Sequence, residues 1–251
     1  MKHQPNTLTP TVLILTLISG ALTALLALGC SLLFESAVQT DGGVGVDAGV
    51  SGVGITVVID AGHGGEDGGT QSADGMYEKD VNLEIARLLD TMLRANGVNV
   101  IMTRTEDILL YDRGVDYQGR KKVLDLAARR QVAEKIENAV FVSIHMNAFP
   151  EEKYSGLQVF YSPNDKRSQA LAAMIQNTVH EKLQPKNERK IKQATSSIYL
   201  LDRLQCPAVL VECGFLSNPQ EASLLAQESY RQKLAFTLFC AVMSYISSQN
   251  A

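Results

Sequence analysis

The chain has 251 residues, 45% hydrophobic and 20% charged, with no Trp, the composition of an ordinary globular protein. Its net charge of −4 supplies no basic face, so composition argues against nucleic acid as a partner. A neutral or mixed-charge substrate remains open.

In chain order, the first feature is an apolar run. No Asp, Glu, Lys or Arg occurs between Lys2 and Glu35, and "TVLILTLISGALTALLALGCSLLF" (Thr11 to Phe34) is almost wholly hydrophobic. As a helix it would extend roughly 36 Å, enough to cross a bilayer. Residues 1–34 therefore read as a membrane anchor or a removed signal segment. Lys2 before it and Glu35 and Asp41 after it favour a cytoplasmic N-terminus and an exported remainder. Residues 35–54, "ESAVQTDGGVGVDAGVSGVG", are a Gly-rich linker. What remains, 55–251, is long enough for one well-buried domain.

From Ile55 onward strands and helices alternate. "ITVVID" (55–60) is a short apolar strand, and Val81, Ile85, Leu88, Leu89 and Met92 mark one face of a helix with Asp80 as its expected N-cap. Asn96-Gly97 ends that helix, and "VNVIMTR" (98–104) is the next strand. A helix over 121–137 leads to the buried strand "AVFVSIHMNA" (139–148), then to "GLQVFYS" (156–162). Leu171, Met174, Ile175, Val179 and Leu183 define another helix, and "PAVLVECGFL" (207–216) is the last central strand. Asn218-Pro219-Gln220-Glu221 reads as a capping-box-like helix start. A final helix carries Leu234, Leu238, Val242 and Tyr245 on one face. This order predicts an α/β fold, a single domain with a mostly parallel or mixed central sheet flanked by helices.

Cys30, Cys206, Cys213 and Cys240 are expected to be thiols. Cys206 and Cys213 flank "PAVLVE", a strand that would hold them about 20 Å apart, beyond disulfide reach.

Open α/β sheets build their sites beyond the carboxyl ends of strands. His63 follows the first strand, in "VVIDAGHGGEDGGT". "FVSIH" delivers His145 and "AVLVE" delivers Glu212. Glu78, in "MYEKD", stands just before a helix. Two neutral imidazoles and one carboxylate are a recurrent ligand set for catalytic zinc, and a second carboxylate beside the ion would serve as proton acceptor and donor. Glu212 suits that second role, but the residues alone leave open which carboxylate is ligand and which is base. Each residue also has a plainer reading: a loop histidine bonded to backbone, a satisfied core histidine, a solvated charge before a helix. Glu66 and Asp67 read as loop charges, Asp60 as a turn cap, and His3 and His180 as uninvolved. Convergence of two of only four histidines with two glutamates on one rim favours the metal site.

The stretches "VVIDAGHGGEDGG", "YEKDVNLEIARLL", "VIMTRTED", "FVSIHMNA" and "VLVECGFLSNPQE" resemble, in order, the motifs of the zinc-dependent N-acetylmuramoyl-L-alanine amidases of bacterial cell walls. The likeness covers about Ile55 to Ser248 and is closest to the spore-cortex, germination-specific branch of that family. It implies a zinc amidase catalytic domain in which His63, Glu78 and His145 bind one Zn2+ and Glu212 is the catalytic carboxylate. The implied substrate is peptidoglycan, cut between the lactyl group of N-acetylmuramic acid and L-Ala of the stem peptide. The implied setting is the extracytoplasmic face of a membrane or the cell wall during sporulation, with cortex cleavage leading toward muramic δ-lactam. The sequence identifies no activating protein partner. The family more often has Pro where Ala61 stands and Asn where Glu134 stands, departures expected to alter packing rather than activity. A catalytically silent wall-binding module, or a different zinc peptidase or deacetylase acting on peptidoglycan, are the competing readings.

Overall fold

A computed structural model describes residues 54–111, 114 and 118–249; the expected membrane segment and nearly all of the linker lie outside them. No helix among the described residues is long and apolar enough to cross a membrane. The elements are β1 (Thr56–Ala61), α1 (Glu78–Ala95), β2 (Asn99–Met102), α2 (Lys121–Glu134), β3 (Ala139–Asn147), β4 (Gln158–Tyr161), α3 (Arg167–Lys182), β5 (Lys192–Gln193), α4 (Tyr199–Arg203), β6 (Ala208–Phe215), α5 (Pro219–Leu225) and α6 (Glu228–Gln249).

The six strands form one mixed sheet in the order β2-β1-β3-β6-β4-β5. β2, β1, β3 and β6 run parallel, and β4 lies antiparallel to β6. Because both faces are covered, the central strands are apolar at nearly every position. Alternation still divides them. Val57, Ile59 and Ala61 of β1 join Val140, Val142 and Ile144 of β3 and Val209 and Val211 of β6 in a core packed on α1, α3 and α6. Val58, Phe141, Ala208 and Leu210 point to the other face, where α2 and α4 cover a smaller core. The period of two thus sends Asp60, Ser143, His145 and Glu212 to the second face.

β1 pairs with β2 on one side and β3 on the other. The chain visits β2 first and then crosses to β3, so the strand order reverses at β1. The crevice at such a reversal is where open α/β sheets bind ligands. Between His145 and Asn147 the β3–β6 register shifts, with His145 opposite Glu212 but Asn147 opposite Phe215. β6 therefore carries an extra residue, a bulge that re-aims side chains at the rim.

Two local expectations are corrected. α1 begins at Glu78 with Tyr77 at the N-cap position and no capping side chain, so Asp80 sits inside the first turn. The glycine loop replaces the cap: Glu78 N–H donates to Thr70 O at 2.9 Å and Lys79 N–H to Gly68 O at 3.2 Å. At α5 the Asn218 side chain does accept from Gln220 and Glu221 N–H groups, but Glu221 does not reach back to complete a capping box. Its carboxylate accepts instead from Phe215 N–H and Gly156 N–H, tying β6 to the segment before β4. β5 and α4 carry no apolar period long enough to be read from sequence. Cys206, Cys213 and Cys240 are free thiols, as expected.

Candidate metal centre

The loop after β1 is built around close approach. Gly62 N–H donates to Ile144 O at 3.1 Å, holding the loop against β3. A Cβ on Gly62 would stand 2.2 Å from Cε1 and Nε2 of His145. One on Gly69 (φ +67) would stand 2.5 Å from Glu78 Oε2 and 2.8 Å from His63 Cδ2. The glycines therefore let an imidazole and a carboxylate pack directly on backbone. His63 itself has φ 62, a left-handed conformation uncommon for a side-chain-bearing residue and concentrated at functional sites.

That conformation is held from below. Arg104, buried, donates from Nε to Ala61 O at 2.8 Å and from Nη2 to Gly62 O at 3.0 Å. Arg129, also buried, donates from Nη1 to Ala61 O at 2.7 Å and from Nη2 to His63 O at 2.6 Å. Asn82 Nδ2 adds a bond to Gly62 O at 3.1 Å. Three consecutive carbonyls are thereby satisfied without secondary structure. Arg129 is in turn paired with Asp60 at 2.8 Å and Asp125 at 2.7 Å. Asp60 also accepts from Thr103 Oγ1 and Ser143 Oγ, both at 2.7 Å.

On this platform His63, Glu78 and His145 converge, each offering one ligand atom, with all three atoms within 4.8 Å of one another. Glu78 Oε1 lies 3.2 Å from His63 Nε2 and 2.9 Å from His145 Nδ1. The ring centroids are 5.0 Å apart and the planes 73° inclined. Tetrahedral zinc with bonds near 2.0–2.2 Å separates its ligand atoms by about 3.3 Å, so the donor set fits such an ion. Glu78 is further fixed by Met146 N–H at 3.0 Å and Thr70 N–H at 2.9 Å. His63 Nδ1 sits 2.9 Å from Asp67 Oδ1. Burial opposes charge on His63, but Asp67 and Glu78 outweigh it and push the imidazole up to about 9. Burial likewise opposes charge on Glu78, yet His145 and His63 hold its carboxyl well below the usual range. The carboxylates of Asp67 and Glu78 thus favour positive charge beside them.

Glu212 is directly opposite His145 on the neighbouring strand but outside the three-atom cluster. Among the described residues no cationic side chain forms an ion pair with it, and its Oε2 is buried without a hydrogen-bond partner. Burial pushes its carboxyl up to about 7; the His145 charge opposes this and the Glu78 charge reinforces it. A carboxyl poised near neutrality beside a cation site is what proton transfer requires. Both histidines and Glu212 line a cavity of about 250 Å³, together with Asp67, Lys122, Arg129 and Tyr199.

All four sequence-derived candidates meet at one rim. Two sequence readings fail there. Asp67 is no mere loop charge but the neighbour of His63, and Asp60 is a buried partner of Arg129 rather than a turn cap. The fourfold spacing from His63 to Asp67 within a glycine loop was the available signal for the first. Asp125 and Arg129 lie on the buried face of α2, where a hydrophobic-period search passes over charged residues. Glu66 pairs with Lys121 at 2.5 Å, and His180 bonds Asn187 O on α3's flank, both clear of the cluster.

The family model described as N-acetylmuramoyl-L-alanine amidase matches residues 57–243. The chain belongs to that family. The amidase is 36% identical to the germination-specific N-acetylmuramoyl-L-alanine amidase of Bacillus subtilis (strain 168), over 78% of this chain and 82% of that one. Among solved structures it is similar to the CwlD amidase of Clostridioides difficile in complex with the GerS lipoprotein. The TM-score is 0.73 and the identity 36%, covering 77% of this chain and 99% of that one. An N-acetylmuramoyl-L-alanine amidase of Clostridium difficile 630 aligns with TM-score 0.67 at 31% identity, over 78% and 98% of the two chains. The two positions at which the sequence is expected to depart from the family, Ala61 and Glu134, lie outside the cluster. Ala61 is fully buried, and Glu134 pairs with Arg130 at the end of α2.

Proposed function

We propose that His63, Glu78 and His145 hold one zinc ion and that Glu212 moves the proton as the amidase cuts the bond between the lactyl group of N-acetylmuramic acid and L-Ala. The observation that carries this reading is the meeting of three ligand atoms within 4.8 Å beside a buried carboxylate with an unpartnered oxygen. Zinc held by these three residues would supply a Lewis acid for the lactyl carbonyl and would lower the pKa of a water. Glu212 takes the water's proton and delivers it to the alanine nitrogen, which leaves as an amine. Asp67 orients His63, and the backbone N–H groups of Met146 and Thr70 orient Glu78. Retention of the full ligand set and of Glu212 speaks against a silent wall-binding module.

The biological setting follows from the relatives. A germination-specific amidase among them supports action on spore-cortex peptidoglycan, on the route to muramic δ-lactam. Residues 1–34 would place the catalytic domain outside the cytoplasm. The neighbour solved with a lipoprotein supports an exported lipoprotein partner for this chain as well.

Digestion of purified peptidoglycan by the full chain, with and without added zinc, tests the reaction. Mass spectrometry of the products should show stem peptides with a free alanine amine, formed only when zinc is present. A cut within the peptide or a lost acetyl group would replace this reading with a peptidase or a deacetylase.

A further inference from the structure

We propose that Arg189 anchors a stem-peptide carboxylate on the leaving-group side of the cut amide, an inference that rests on Glu212 as the proton shuttle. Residues paired across neighbouring strands present their side chains to the same face. His145 pairs with Glu212, and Glu212 pairs with Gln158 of β4. Metal ligand, proton shuttle and amide thus form a row across three strands. Arg189 extends the row, donating from Nη1 to Gln158 Oε1 at 3.1 Å.

The guanidinium is positioned and yet incompletely used. Nε donates to Ser155 O at 2.6 Å, and the group lies over the Phe215 ring at 4.5 Å. The Arg189 N–H is tied to Asn187 Oδ1 at 3.0 Å. Among the described residues no carboxylate is within ion-pair distance of Arg189, and its Nη2 has no acceptor. Neighbouring Glu221 accepts from Gly156 and Phe215 N–H groups; burial raises its carboxyl and the Arg189 charge opposes that without closing an ion pair, and the remaining acid nearby, Glu188, is not paired with Arg189. A half-buried, pre-oriented fork with free donors is suited to a carboxylate.

Lengths agree with the row. Strands lie about 4.7–4.9 Å apart, so the guanidinium, one side-chain hydrogen bond beyond Gln158, is on the order of 10 Å from the Glu212 carboxylate. Glu212 must reach the alanine nitrogen at hydrogen-bond distance, about 3 Å, which leaves about 7 Å. Two residues of extended chain cover that span, bringing the free carboxylate of the residue joined to L-Ala to Arg189. Past Arg189 opens a cavity of about 660 Å³, lined also by Lys153, Tyr154, Lys186 and Tyr230. It has room for the rest of the stem, and its lining is of mixed charge, with Glu188 and Glu221 beside Lys153 and Lys186.

The test uses the zinc-loaded full chain with two muramoyl peptides, one with a free carboxylate on the residue after L-Ala and one with that carboxylate amidated. Calorimetry with the two corresponding released peptides reads binding without turnover. The unaltered protein should favour the free carboxylate by about ten- to a hundredfold, mainly in KM and in peptide Kd. Arg189→Gln should abolish that preference while leaving cleavage of the amidated substrate within about threefold, an outcome a purely structural arginine would not give. Should Arg189→Gln not fold, Arg189→Lys serves, with a preference reduced but not lost because charge survives without the fork. No preference in the unaltered protein, or an unchanged preference in either variant, overturns the proposal. Arg189-dependent peptide binding with neither substrate cut would sink the amidase mechanism and leave the anchor standing.

Discussion

Gly62 and His145 share a space that admits only one of a methyl group and an imidazole: a Cβ at position 62 would lie 2.2 Å from two ring atoms. Gly62→Ala should therefore push His145 out of the cluster and, on the proposed ligand set, weaken zinc binding by about 10- to 100-fold. The control is Gly97→Ala, with φ +77 and open space around it, which should cost about 1–2 kcal/mol of stability and leave metal content intact. Metal analysis by mass spectrometry and thermal unfolding of both variants distinguish the two effects.

Removing the proposed proton shuttle should separate chemistry from metal binding. Glu212→Gln should retain zinc and lose about 100- to 10,000-fold in turnover. Because Glu212 is buried with an unpartnered oxygen, the neutral variant should melt no lower than the parent. Full activity in this variant would remove Glu212 from the mechanism.

Asp67 offers a graded test of ligand orientation. It lies 2.9 Å from His63 Nδ1, on the opposite side of the ring from Glu78. Asp67→Asn should keep the ligand set but lower zinc affinity, by less than outright loss of His63 in His63→Ala. Competition with a chromophoric chelator reads both.

Arg129 and Asp60 form a pair almost wholly hidden from solvent. Breaking it in Arg129→Met should destabilise the domain by about 3–5 kcal/mol, since Asp60 would remain as an uncompensated buried charge. Urea titration of the two proteins measures the difference.

The same pair sets an acid limit. Burial would raise the Asp60 carboxyl, but Arg129, Ser143 and Thr103 hold it below the usual aspartate range. A carboxyl depressed in the fold stabilises at every pH above its unfolded value. That stability is lost as pH falls through the folded one. The parent should lose stability progressively below about pH 4, and Asp60→Asn should flatten that slope while being less stable near neutrality. Unfolding curves from pH 6 to pH 2 provide the check.

Much of this arrangement was legible in the chain. Strand and helix order, the helix stop at Gly97, and delivery of His63, His145 and Glu212 to strand ends all follow from local periodicity, turn chemistry and the rule for open sheets. Glu78 was harder, because a glutamate before a helix is ordinarily a solvated charge. Only resemblance to a family separated it from Glu212 in role.

Tertiary structure decided the rest, because the deciding contacts join distant segments. Glu78 joins the cluster by meeting His145, and Glu212 stays apart through its register opposite His145 on β6. Arg129 supports the His63 loop across 66 residues of chain, and Gln158 reaches Arg189 across 31. Sequence dictates which groups each strand end can present, since side-chain direction alternates locally. Which charge finds which partner depends on strand order, register and the bulge beside His145, and those are properties of the assembled sheet.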